Sequence, residues 1–402
     1  MRSRTTSSEN VARRRHAKSR HAKTSHTVLR DASVQRLCLT TFCATLLLAA
    51  CSHAPPEGFA PDPGLVAQIR DIRIVTAYAR ACPGSTIPTT YEAVLADGSR
   101  VPFSRTYDKK HPPRLHVIFL DRESPDAVSQ EDGDWVAERD PLVTVTTGYR
   151  LTATLRANSR ITNTVVVPPD YRCMPHTFVF SGDAGGPGEA GEPGPDATVR
   201  LAVLRSPFYD KLFVAGIQVG LAQPFYVLQD ATAVPPADWL VIESRGGRGG
   251  TGVTGSKGTD GSSGAAGCPA QPGAPGGNGG SGGPGGSGGH GGRVTVIVPL
   301  DNPFLAGIVA GRSPGGPGGT GGPGGAGGKG GKGGQGALDA SNRRCPDAAD
   351  GAPGQAGSAG PTGSQGAPAP RAIVVTAPTK EIFGLQVPPE LGSLLERVQR
   401  RP

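Results

Sequence analysis

The chain has 402 residues, 62 of them Gly and 39 Pro, with 41 Lys and Arg set against 33 Asp and Glu. Taken whole, that balance suggests a nucleic-acid or anionic-membrane partner, but ten of the cations and two of the acids lie in residues 1–36, leaving the remainder formally neutral. No nucleic-acid partner is therefore expected for the body of the protein.

The basic stretch leads into Leu37–Leu48, an apolar run too short to span a bilayer as a permanent helix and of the length of a signal-peptide core. It closes on Leu48, Ala49, Ala50 and Cys51, with small residues before a cysteine. This run resembles the lipobox of bacterial lipoproteins. The resemblance implies cleavage before Cys51, acylation of its sulfur and amine, and attachment of the mature chain to a membrane. Ser52 is not the Asp that such proteins use for inner-membrane retention, so the cell envelope at the outer membrane or surface is the expected place. The polar leader of about 33 residues is unusually long, and a start at Val28 or Val34 would account for it.

Cys38 and Cys43 fall within the signal, which leaves Cys82, Cys173, Cys268 and Cys345 in the exported chain. Four cysteines in an oxidising compartment imply two disulfides and allow three connectivities.

Residues 52–64, with four prolines, read as a tether. From 65 to 180 short β-branched or aromatic runs alternate with Gly, Pro and Asp: Ile69–Val75, Tyr91–Leu95, Leu115–Leu120, Leu142–Thr147, Leu151–Leu155, Thr164–Val167 and Thr177–Phe180. Seven strands in this span predict an immunoglobulin-like β-sandwich. Cys82 follows the first strand and Cys173 precedes the last, so one bridge between them would staple the sandwich.

Residues 181–245 read as a short glycine-rich piece and a layer of strands, and 246–377 as four legs with Gly at every third position. Leg one runs from Gly246 to Gly267, leg two from Gly273 to Gly291, leg three from Gly315 to Gly333 and leg four from Gly351 to Gly366, while Gly182–Gly194 forms a shorter piece. Apolar strands recur between them at Val199–Leu204, Leu212–Val219, Trp239–Glu243, Val294–Val298, Phe304–Ala310 and Ala372–Thr376. The three-residue period predicts left-handed helices of polyproline-II type, roughly 60 to 70 Å per leg, whose backbone groups must find partners outside the helix. Similar leg lengths joined by turns favour a single-chain bundle over a collagen trimer. Legs two and three are mostly Gly-Gly-X and belong inside; legs one and four are mostly Gly-X-Y and belong outside. If the legs run out and back, Cys268 and Cys345 meet at the far end.

This region resembles glycine-rich polyglycine-II proteins such as the snow-flea type of antifreeze protein and the tips of phage tail adhesins, and more loosely collagen-like bacterial surface proteins. The resemblance implies an architecture, with no ligand attached to it. The fold class expected is thus mainly β, a sandwich followed by a strand layer carrying a polyglycine-II bundle. Residues 378–402 close the chain with a short amphipathic helix marked by Leu391, Leu394, Leu395 and Val398.

The catalytic signatures present are decoys. Gly250–Gly255 spells G-x-G-x-x-G, yet the triplet period continues where a dinucleotide site needs a helix. His111 and His116 with the acids of 121–140 fit no calcium loop and read as a solvated loop. Lys329, Lys332 and His290 read as solubilising side chains, with attraction of an anionic polymer by the two lysines, three residues apart on one face, as the alternative. No enzyme, metal or cofactor is expected. A structural, spacer or adhesive lipoprotein is the first reading, monomeric unless the legs form a collagen-like trimer. The alternative is a surface module in which Tyr78, Tyr107, Trp135 or Trp239 contacts a protein or polysaccharide.

Overall fold

The computed structural model of the protein describes residues 55–232, 239–384 and 387–399. It is mainly β, with several sheets and two short α-helices, α1 (Pro63–Gln68) and α2 (Pro389–Gln399). Cys51 and the leader lie outside the described residues.

Nine strands make up the first part: β1 (Ile69–Thr76), β2 (Thr86–Ile87), β3 (Thr89–Leu95), β4 (Arg100–Pro102), β5 (Leu120–Glu123), β6 (Ala127–Ser129), β7 (Trp135–Ala137), β8 (Tyr149–Leu155) and β9 (Thr162–Val167). They form three small antiparallel sheets, β1-β3-β4, β2-β7-β6 and β5-β8-β9, where two facing sheets were expected. Alternation along β3 and β8 turns every second residue inward, so Tyr91, Ala93, Leu151 and Ala153 are buried. Trp135 is fully buried and its indole N–H donates to the Tyr91 hydroxyl, which donates in turn to the Gly133 carbonyl, both at 2.8 Å.

Four expected strands differ, one of them Phe304–Ala310 in the glycine-rich half, where Pro303–Ile308 is a 3-10 turn and only Val309 and Ala310 enter a strand. Leu142–Thr147 is a run of turns, because Leu142 and Val145 reach into a core shared with Tyr171 and the following sheet. In Leu115–Leu120 only Leu120 enters a strand; Val117–Phe119 is a 3-10 turn whose Ile118 amide donates to His116 Nδ1. Thr177–Phe180 joins the second part, since Phe178 and Phe180 pack on its core.

That second part repeats one unit three times. Its strands are β10 (Thr177–Ser181), β11 (Ala197–Ser206), β12 (Tyr209–Val219), β13 (Phe225–Asp230), β14 (Leu240–Arg245), β15 (Val294–Pro299), β16 (Val309–Arg312) and β17 (Ile373–Ala377). In each unit a strand of one sheet leads into an outgoing leg, a returning leg and a strand of the other sheet: β10 to β11, β14 to β15, β16 to β17. The outgoing strands form a parallel sheet β10-β14-β16, and β11, β15 and β17 are parallel neighbours in the five-stranded sheet β13-β12-β11-β15-β17. Residues of both sheets share one core, including Val199, Leu201, Leu240, Ile242, Val294 and Val296. The outer face of the larger sheet is covered by Leu391, Leu394 and Leu395 of α2 together with Ile382 and Phe383.

Beyond the strands the two layers continue as the glycine legs. Leg one bonds leg three in parallel (Gly255 N to Pro323 O, 2.9 Å), and leg two bonds leg four in parallel (Gly279 N to Gln355 O, 2.8 Å). Between layers the bonds are antiparallel: Gly280 N to Ser256 O at 2.7 Å, Gly325 N to Gly280 O at 2.8 Å and Gly357 N to Gly325 O at 2.8 Å. The same pattern recurs every three residues. Legs two and three each bond all three other long legs, whereas no bond joins legs one and four among the described residues. Gly182–Gly188 lies on leg one and Gly191–Gly194 on leg two, so the short piece is a first, abbreviated unit.

These bonds fix where glycine is obligatory. A Cβ on Gly325 would stand 2.7 Å from the Gly255 carbonyl oxygen and closer still to that of Ser256. Gly325→Ala should destabilise the protein by about 1–3 kcal/mol or more through overpacking, whereas Thr254→Ala on the exposed row of leg one should stay within about 0.5 kcal/mol. Thermal melts followed by circular dichroism compare the two; equal midpoints would contradict the close packing.

Candidate functional site

Two places carry side-chain chemistry beyond packing: the distal half of the bundle and a cleft in the first part. At the far end Cys268 and Cys345 are paired with Cα atoms 5.5 Å apart, joining the turn between legs one and two to the loop between legs three and four. Cys82 and Cys173 are also paired, with Cα atoms 6.2 Å apart. Both separations suit a disulfide.

Along the legs, acids meet amide groups that no carbonyl reaches. Asp260 of leg one accepts from the Lys329 amide at 2.8 Å, Asp350 from the Gly333 amide at 2.8 Å and Asp347 from the Gly336 amide at 2.7 Å. Asp260 also pairs with Lys257 and Asp350 with Lys332. His290 Nδ1 accepts from the Ala367 amide at 3.3 Å. Lys332 and His290, expected as solubilising side chains, thus also make contacts between legs. The backbone bond from Lys329 and then the Lys257 side chain hold Asp260 below the ordinary carboxylate range; the Gly333 amide and then Lys332 do the same for Asp350.

The cleft has a volume of about 660 Å³ and lies beside the Cys82–Cys173 bridge, lined by residues 77–82, Ser85, Thr86, Asp170 and Arg172. Tyr78 is 62% exposed at its rim. Arg172 holds Asp170 through a fork of bonds of 2.7 to 3.2 Å, and this pairing keeps the Asp170 carboxyl below its usual range. Arg80 is fixed from behind by the Pro169 and Phe208 carbonyls and lies 4.7 Å from the Tyr209 ring centre. Tyr78, Arg80 and the Asp170–Arg172 pair thus line one cleft.

Of the four aromatic residues expected as ligand contacts, Tyr78 alone is freely exposed. Trp135 and Trp239 are buried, and Tyr107 packs edge-on against Phe59 at 5.1 Å. The acidic run 121–140 is more than a solvated loop: it contains β6 and β7, and buried Asp126 binds Arg150 at 2.7 and 3.1 Å. His111 is exposed 3.2 Å from Asp108, and buried His116 caps a turn. No three His, Cys, Asp or Glu side chains gather to hold a metal among the described residues. The G-x-G-x-x-G run lies within leg one, where Gly252 donates to the Thr320 carbonyl. No helix among the described residues is long and apolar enough to cross a membrane.

In comparison with known proteins, the chain matches no family model, no curated protein and no solved structure. The cleft itself was not legible in the sequence, because residues 77–86 and 170–172 meet only through the fold and its bridge.

The acids give a pH dependence of definite sign. A carboxyl whose folded pKa is depressed contributes stability above its unfolded value, near 3.9, and loses that contribution as pH falls through the folded value. Asp260→Asn and Asp350→Asn should melt below wild type at pH 6, and the difference should vanish toward pH 2. A gap unchanged across that range would exclude the ionised bonds.

Proposed function

We propose that this chain is a non-enzymatic cell-envelope lipoprotein, held to the membrane through Cys51, in which the legs are polyglycine-II helices forming a stiff spacer or adhesive finger. The observation that carries this reading is the bond network. Amide groups of every leg are met by carbonyls of neighbouring legs of the same chain, so the bundle needs no second or third chain to satisfy it. A collagen trimer meets the same need between chains. The strands at one end and the Cys268–Cys345 bridge at the other fix both ends of the finger. The anchor rests on the resemblance of Leu48–Cys51 to a lipobox.

Replacing Cys51 tests the anchor. Wild type should sediment with membranes and incorporate labelled palmitate, and Cys51→Ser should do neither; a wild type that stays soluble and unlabelled would sink the lipoprotein reading.

The cleft favours a second role. An exposed tyrosine stacks on the C–H face of a pyranose, and a carboxylate–guanidinium pair suits vicinal hydroxyls. On this reading the first part binds a neutral carbohydrate while the finger supports it. Titration calorimetry with cell-surface oligosaccharides should show binding that Tyr78→Ala weakens roughly tenfold; equal affinity for both forms would leave the finger as the sole functional element.

A further inference from the structure

The three units stack in one direction, and among the described residues the last unit ends on a strand with a single neighbour, β15. In β17, Ile373, Val374 and Val375 are 45%, 53% and 42% exposed, whereas Val294, Val296 and Val298 of its neighbour β15 are buried. Apolar side chains on both faces of an edge strand are what soluble proteins normally protect with charge, proline or a covering segment. None of these falls within β17. The Ala377 carbonyl accepts from the Leu300 amide at 3.0 Å on the β15 side. Because alternate residues of a strand turn their N–H and C=O to opposite edges, Ile373, Val375 and Ala377 serve β15, and Val374 and Thr376 present theirs outward.

We infer that β17 is the contact through which two copies of this chain pair about a two-fold axis, strand antiparallel to strand. Topology restricts the choice of partner edge. The other edge of the five-stranded sheet is β13, so adding a copy in the sense in which the units stack would set its β13 beside β17 and leave its own β17 open, which builds a filament that does not close. A strand paired with its own symmetry mate closes at two copies. Charge agrees with this geometry. Arg371 is exposed just before β17, and Asp301 is exposed at the other end, where the Thr379 hydroxyl lies 2.9 Å from its carboxylate. Neither has an ion-pair partner among the described residues. Antiparallel pairing centred on Val374 or Val375 sets Arg371 of each copy across from residues 377–379 of the other, beside Asp301, twice per dimer.

Light scattering and sedimentation on the mature chain from residue 52, which contains every core described above, read the outcome. A dimer is expected. Val374→Pro removes an outward N–H and leaves the bonds to β15 intact, so it should give a monomer with an unchanged melting temperature. Should that variant misfold, charge carries the test: Arg371→Asp should weaken dimerisation roughly tenfold, and adding Asp301→Arg to the same chain should restore it. A monomeric wild type, a trimer, a dimer indifferent to Val374→Pro, or a failed charge swap would each overturn the inference. Membrane attachment through Cys51 and sugar binding at Tyr78 are unaffected by any of these results.

Discussion

The architecture of the glycine-rich half follows from one constraint: among the described residues the extended legs make no backbone hydrogen bonds within themselves, so their amide groups must be met by another backbone at contact distance. Contact at that distance leaves no room for a Cβ. The glycine rows are therefore a map of neighbours. Legs two and three carry two bare rows because they lie between other legs, and leg four carries one. Leg one shows the rule changing along its length. Gly247 and Gly250 are bare where the carbonyls of Asp183 and Gly186 press on them, and from Val253 onward, past the end of the short unit, the same row bears side chains. The Val253 methyl group then lies where a Cβ on Gly283 would come within 2.7 Å of it, covering backbone that the short unit covers nearer the strands.

A bundle built this way buries little apolar surface, and ordering glycine is entropically costly. Its stability must come from its ends. At one end the two sheets enclose a core of Val, Leu and Ile, and the layers converge where Ser244 donates to the Pro195 carbonyl at 2.5 Å and the legs begin. At the other, Cys268 and Cys345 close a loop of sequence separation 77, a constraint that the chain-entropy model values at about 4–5 kcal/mol. The aspartates between these clamps meet amide groups at positions where the leg geometry supplies no carbonyl.

This division explains what the sequence reveals and what it withholds. The legs are legible because a residue type with no substitute recurs at a fixed interval, and the interval alone gives direction, neighbours and the meeting of two cysteines. The strands of the mount are legible where β-branched residues alternate over six or more positions, as in β8 and β15. Short pieces such as β2, β6 and β7 are not, since two or three residues carry no period. Leu142–Thr147 has the composition of a strand, but Asp140 accepts from the Leu142 amide at 2.9 Å and starts a turn that carries Leu142 into a core it shares with residues as distant in sequence as Tyr171, Leu228 and Leu395. No local pattern encodes that. The Tyr78 cleft is hidden for the same reason.

The constraint also locates where recognition can occur. Within the bundle, inward backbone groups are consumed in holding the legs together, and Asp260, Asp350 and His290 are consumed at gaps between them. What remains is a set of small side chains on a fixed lattice, suited to stiffness and reach. Groups free to meet another molecule are concentrated in the mount: Tyr78 and the Asp170–Arg172 pair in the cleft, and the outward backbone of β17. The open strand is a direct consequence of building by parallel units, because each added unit satisfies the edge before it and exposes its own. In the larger sheet the first unit folds back as β12 and β13, which moves that edge to β13; the last does not fold back, which leaves the apolar edge of β17 for a second molecule to cover.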